Sequence, residues 1–224
     1  MDFSGVYGAE EFLLSLGEEE PFRYVDFRQL EGTACYCDAE AEEAILAALP
    51  EVLPRLRWID SGDYHYMSCL LAQRVTQPFH LVLLDHHPDN QEPAFGGVLS
   101  CGGWVRSLGD RNPFLRDVLT IGPDGSPDDI PAGWLEEHQG EALYVSVDKD
   151  ILSRTYARTD WTQGEHTLPQ LEGILARVLD APVRILSVDI CGECPPHKGA
   201  TPEDLQVNKE TNVELQKFIT AHLN

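Results

Sequence analysis

The stretch His80-Leu81-Val82-Leu83-Leu84-Asp85-His86-His87-Pro88-Asp89 decides the fold. Leu81 to Leu84 is an unbroken hydrophobic run. A strand of this kind is buried on both faces, as in a parallel sheet covered by helices. Carboxylates and imidazoles follow it directly. Asp85, His87 and Asp89 stand at i, i+2 and i+4. In extended backbone alternate side chains point the same way, so these three face one point and His86 faces elsewhere.

Further short apolar runs rich in β-branched residues read as strands at 22–27, 56–60, 117–121, 142–147 and 183–188. Helical stretches lie between them. Asp38 caps a run through Leu49, with Glu40, Glu42 and Glu43 at its positive end. Residues 67–74 form a second helical stretch. Thr167-Leu168-Pro169-Gln170 fits a capping box opening a helix to Leu179, and Thr201-Pro202-Glu203-Asp204 opens the C-terminal segment in a similar way. Strands alternating with helices predict an α/β domain with a mainly parallel sheet. With no repeat, low-complexity tract or linker, one domain spanning 1–224 is expected.

In such a fold the functional loops lie at the carboxyl ends of the strands. Four strand ends carry unusual polar residues: Ser61-Gly62-Asp63-Tyr64-His65, then Asp85 to Asn90, then Ser146-Val147-Asp148-Lys149-Asp150, then Asp189 through Glu193. Asp85, His87, Asp89, Asp148 and Asp150, with His65 as a sixth, are too many ligands for one tetrahedral zinc. They suit two hard divalent ions sharing bridging carboxylates, with manganese a good match. Such ions sit about 3.5–4 Å apart and hold an activated hydroxide between them.

The chain carries 38 acidic and 16 basic side chains, a net charge of -22. That excess repels phosphate backbones, so nucleic acid and anionic membranes are excluded as partners. It favours bound metal ions and a cationic substrate. The 42% apolar content supports a sizeable core. No apolar run approaches a membrane span, and Met1-Asp2-Phe3-Ser4 lacks the basic flank and apolar region of a signal peptide, so a cytoplasmic location is expected. The six cysteines are then expected as thiols. The oligomeric state is left open, a homo-oligomer included.

Taken together, these motifs resemble the arginase and agmatinase family, the ureohydrolases. The family's Gly-Gly-Asp-His segment is matched by Gly62-Asp63-Tyr64-His65, with one residue inserted. Its Asp-x-His-x-Asp is intact as Asp85, His87 and Asp89, and its Ser-x-Asp-x-Asp as Ser146, Asp148 and Asp150. Its late glutamate is matched by Glu193, one residue further on than usual. The resemblance spans about Gly62 to Pro195. It implies a three-layer α/β/α sandwich around an eight-stranded sheet, with peripheral loops trimmed. It implies two manganese ions per chain, His65 and Asp89 on one and His87 on the other, with Asp85 and Asp150 bridging and Asp148 completing the set. The implied activity is hydrolysis of a guanidinium: a metal-bridging hydroxide attacks the central carbon, releasing urea and an amine. Glu193 would hold the guanidinium, Asp89 would pass a proton to the leaving amine, and Trp161 would stack on the cation at the mouth. Arginine, agmatine and peptide-borne arginine are the expected substrates.

Two features depart from the family. Leu99-Ser100-Cys101-Gly102-Gly103-Trp104 lacks the histidine that arginases carry after the third strand, and contacts to the amino-acid end of arginine are not recognisable. A non-catalytic metal-binding protein on the same fold is therefore an alternative. A manganese phosphoesterase of the DHH type is another, spelled by Asp85-His86-His87, although the segment before it lacks that family's upstream His and Asp-x-Asp.

Overall fold

A computed structural model describes residues 1–9, 11–12, 23–93, 96–123 and 125–223. Its strands are β1 (Tyr36–Cys37), β2 (Leu56–Trp58), β3 (Phe79–Leu84), β4 (Leu99–Ser100), β5 (Leu115–Ile121), β6 (Ala142–Asp148) and β7 (Arg184–Cys191). Its helices are α1 (Val6–Ala9), α2 (Ala39–Ala48), α3 (Met67–Ala72), α4 (Trp104–Arg111), α5 (Trp134–Glu137), α6 (Leu168–Leu179) and α7 (Pro202–Leu223).

Five strands form a wholly parallel sheet in the order β2-β7-β6-β3-β5. Every residue of β3 and β6 is buried, which is why both read as near-continuous apolar runs. Alternation divides their side chains between two cores. Val82, Leu84, Leu143, Val145 and Val147 pack against Leu171, Leu175 and Val178 of α6 and Leu215 and Ile219 of α7. Leu81, Leu83 and Tyr144 pack on the other face with Ile45 of α2, Met67 and Leu70 of α3, and Trp104 and Leu108 of α4. Each such leucine or valine contributes about 1.5–3 kcal/mol by burial. The result is the expected α/β/α layering around a parallel sheet.

The strand order positions the site. From β3 the chain moves outward to its neighbour β5, and from β6 it moves the other way to its neighbour β7. The carboxyl ends of β3 and β6 therefore flank a topological switch point, where open α/β sheets leave a crevice.

Capping chemistry was legible. Asp38 accepts from the Ala41 amide at the start of α2, and Thr167 and Gln170 form the full capping box of α6. Other expectations change. Of the strand expected at 22–27, Phe22 lies outside the described residues, and the rest contributes a single bridge between Asp26 and Asp2. Among the described residues the main sheet has five strands rather than eight. A two-residue antiparallel pair, β1 with β4, stands apart from it. Helix α4 opens from a 3-10 turn over Cys101–Gly103 without a side-chain cap, so the Gly-Gly pair hid its start. All six cysteines are free. Among the described residues no helix is long and apolar enough to cross a membrane.

Candidate metal centre

The strand alternation that suggested the ligand set ends at Leu84. Beyond it the chain bends, with the Asp85 carboxylate accepting from the His87 amide at 2.6 Å. Asp89 takes a left-handed backbone, φ 44°, a conformation that aspartate tolerates better than most residues. Asp148, the last residue of β6, accepts from the Asp150 amide at 2.9 Å and opens a 3-10 turn over Lys149–Ile151. Both acidic motifs are thus aspartate-stabilised turns, not extended segments, and they still converge. His65 enters from the other side, just after the 3-10 turn Gly62–Tyr64 that follows β2.

Two ligand groups result: His65 with Asp85 and Asp89, and His87 with Asp85 and Asp150, each with its ligand atoms within 4.8 Å of one another. Asp85 belongs to both. In the first group His65 Nδ1 lies 3.3 Å from Asp85 Oδ2, 3.1 Å from Asp89 Oδ2 and 3.4 Å from Asp148 Oδ2. In the second, His87 Nδ1 lies 2.7 Å from Asp150 Oδ2 and 3.7 Å from Asp85 Oδ1. Asp85 is therefore placed to bridge. Asp150, expected to bridge as well, stands in the group of Asp85 and His87 only, and Asp148 Oδ2 lies 3.4 Å from His65 Nδ1. The early turns that close each acidic motif fix this division.

The donors fit a metal pair on two counts. Buried His65 Nδ1 and Asp85 Oδ2 make no hydrogen bond to any protein group, and unpaired buried polar atoms are costly unless an ion completes them. Each imidazole also has its far nitrogen occupied, as metal-ligating histidines do. His65 Nε2 lies 2.9 Å from the Ser146 hydroxyl, and His87 Nε2 lies 2.8 Å from the Thr162 hydroxyl. This leaves His65 Nδ1 for an ion, while His87 Nδ1 faces Asp150 Oδ2 at 2.7 Å, a contact that an ion would replace.

Without cations the charges crowd one another. Burial, then the charge of Asp85, pushes the Asp89 carboxyl up to about 7 and Asp148 up to about 6. Burial and the charges of Asp148 and Asp85 also raise Asp150. His87 is pushed up to about 10, chiefly by its bond to Asp150 and then by Asp85. Burial opposes a charge on His65, yet its contacts with Asp85 and Asp89 prevail and raise it. Asp85 is held down at about 2, because His65 and His87 outweigh its burial. Divalent cations would replace these protons.

Supporting residues surround the ligands, some of them inside the motifs and some outside. Trp104 Nε1 donates to Asp89 Oδ2 at 2.7 Å. Behind His65, the Ser146 hydroxyl lies 3.1 Å from Ser68, which donates to Asp189 at 2.9 Å, and Arg57 donates to the same Asp189 at 2.6 Å. Ser146 was findable: it precedes Asp148 by two on a strand, so both share a face. Trp104 and Thr162 carried no such signal. The Cys191 sulfur lies beside His65 and Asp148, but it donates to the Ser61 carbonyl at 3.2 Å and burial pushes its thiol up.

A cavity of about 220 Å³ opens over the ligands. Asp85, His87, Asp89, Asp148 and Asp150 line its floor, and Cys35, Tyr36, Gln91, Ser100, Cys101 and Trp161 line the rest. Trp161 is 40% exposed, and its indole donates to Asp63 at 3.2 Å. Lys198 holds the other Asp63 oxygen at 2.8 Å.

Glu193 is absent from that lining, contrary to the expectation that it holds a guanidinium. Gly192, at φ 95°, turns the chain after β7 and fits against Asp148, where a Cβ would meet Oδ1 at 2.3 Å. The extra residue turns Glu193 into the interior. There it is fully buried, accepting from Lys149 Nζ at 2.5 Å and from Asn212 at 2.9 Å.

The fold is like that of solved agmatinases and arginases. Similar structures include a hypothetical agmatinase from Burkholderia thailandensis, at 19% identity and TM-score 0.58 over 84% of this chain and 68% of that one. Proclavaminate amidino hydrolase from Streptomyces clavuligerus matches at 17% identity and TM-score 0.55, over 83% of this chain and 70% of that one. The arginase of Bacillus caldovelox matches at 17% identity and TM-score 0.56, over 99% of this chain and 89% of that one. No family model matches the sequence. An uncharacterized protein of Thermotoga maritima is 28% identical over 205 residues, covering 88% of this chain and 79% of its own.

Proposed function

We propose that the protein is a binuclear manganese hydrolase of the ureohydrolase type, acting on a small or peptide-borne guanidino group to release urea and an amine. One observation carries this reading: two His/Asp groups share Asp85 at the switch point, with His65 Nδ1 and Asp85 Oδ2 buried and making no hydrogen bond. Bound manganese ions would supply an activated water and polarise the scissile C–N bond. His65, Asp85 and Asp89 would hold one ion, and Asp85, His87 and Asp150 the other, with Asp148 beside the first.

The chain's own groups do the rest. Asp89, on the cavity floor with its Oδ2 held by Trp104 Nε1, is the residue we assign to carry a proton toward the leaving amine. Apart from the floor carboxylates the cavity lining is uncharged, so the cation is read by the exposed face of Trp161 and attracted by the surrounding negative field. Asp63 holds that indole in place. The experiment is urea release from arginine, agmatine, guanidinobutyrate and arginyl peptides with added manganese, with Asp85→Ala as the inactive control. Absence of urea from every member, in protein shown to hold two ions, overturns the reading.

That outcome would leave the second reading, a metal-binding protein without turnover. It is favoured by one feature: the cavity lining has no histidine besides His87 and lacks Glu193.

A further inference from the structure

At the opposite end of β3, His80, Asp117 and His138 bring one ligand atom each within 4.8 Å of one another. They come from three elements: His80 from β3, Asp117 from β5, and His138 from the end of α5. His80 is 8% exposed, and its Nδ1 is buried with no hydrogen-bond partner. Its Nε2 lies 2.7 Å from Glu141. His138 is oriented in the complementary way. Its Nδ1 lies 2.7 Å from the Trp134 carbonyl, and its ring stacks on the Trp134 indole at 4.3 Å.

A carbonyl accepts only, so His138 Nδ1 carries a proton and Nε2 is the nitrogen left to face a ligand. A carboxylate likewise fixes the proton of His80 on Nε2 and leaves the lone pair on Nδ1. A carboxylate or backbone carbonyl on the far nitrogen is the arrangement that orients metal-ligating imidazoles. Burial, then the neighbouring His138, holds the His80 imidazole below its ordinary range and so in the neutral, ligating form.

We propose that His80 Nδ1, His138 Nε2 and Asp117 form a second divalent-metal site of the zinc type, separate from the carboxylate-rich centre. Two imidazoles and one carboxylate are a zinc donor set, with water in the fourth position. Bonds of about 2.0–2.1 Å place tetrahedral ligands roughly 3.4 Å apart. The ligand atoms, within 4.8 Å of one another, therefore close inward when an ion seats, with exposed Asp117 the member freest to move. The two imidazole rings meet edge to face, with centroids 4.2 Å apart. A bound ion would clip β3, β5 and α5 together.

The test separates this site from the other centre by using Asp85→Ala/His87→Ala protein. Zinc is titrated by calorimetry, and cobalt(II) by visible absorption. One zinc per chain and a tetrahedral cobalt spectrum are expected. His138→Phe keeps the stack on Trp134 and should bind zinc at least tenfold more weakly, and so should the surface variant Asp117→Ala. The proposal fails if the double variant binds no zinc, or if both further substitutions leave zinc affinity unchanged. Urea release plays no part in this experiment, so its outcome is independent of the proposed hydrolase activity.

Discussion

His65 Nε2 and the Ser146 hydroxyl lie 2.9 Å apart, and this contact turns the opposite nitrogen of His65 toward three carboxylates. Ser146 sits on fully buried β6, so the ring cannot turn away without leaving a buried group unpaired. Ser146→Ala should keep the fold and weaken manganese binding by about 10–100-fold, the usual cost of losing such a partner. Calorimetric titration beside circular dichroism checks both halves.

Asp85 and Asp150 should behave differently when truncated. Asp85 belongs to both ligand groups, whereas Asp150 belongs to one. Asp85→Ala is expected to abolish retention of both ions, and Asp150→Ala to retain one. Elemental analysis after gel filtration decides. Equal loss in the two variants would show that Asp150 also bridges.

Removal of metal should invert the pH dependence of stability. In the metal-free protein Asp89 and Asp148 hold their protons to about 7 and 6, from an ordinary 3.8. The unfolded chain releases them earlier, so their stabilising contribution is lost as pH rises from about 4 through 7. His87, raised from 6.5 to about 10, contributes fully below 6.5 and loses that contribution as pH climbs through 10. Both effects run the same way. The melting temperature in chelator should therefore fall by at least about 5 °C between pH 5 and pH 8. Saturating manganese should reverse the trend, because binding needs the carboxylates ionised. Differential scanning fluorimetry at the two pH values is sufficient.

Lys149 and Glu193 are both fully buried and paired. Lys149→Met leaves an uncompensated carboxylate and should cost about 3–5 kcal/mol. Lys149→Met/Glu193→Met should recover much of that loss. Urea unfolding at pH 7 measures both. A Glu193→Gln protein with wild-type stability would argue against the buried pairing.

Much of the sheet, and the convergence of the acidic motifs, was readable in the sequence. Long apolar runs mark β3 and β6 because both faces of each are covered, and Asp-x-His-x-Asp is conspicuous by composition alone. The remainder depended on turns. Whether Asp148 or Asp150 lies nearer His65 follows from a 3-10 turn that spacing does not encode. The burial of Glu193 follows from one added residue and the positive φ of Gly192. Edge elements such as β1 and β4 are two residues long, too short to leave a periodic trace.

The contact between Asn212 and Lys149 ties the long final helix of the fold to the floor of the acidic cleft. Asn212 lies in α7, near the end of the chain, and accepts from Lys149 Nζ at 2.7 Å, next to ligands Asp148 and Asp150. Without Asn212 the Lys149 ammonium and the Glu193 carboxylate lose a neighbour that both of them use. Loss of this one helical contact would therefore be felt at Asp148 and Asp150, more than sixty positions earlier in the chain, as a loosened floor of the cleft.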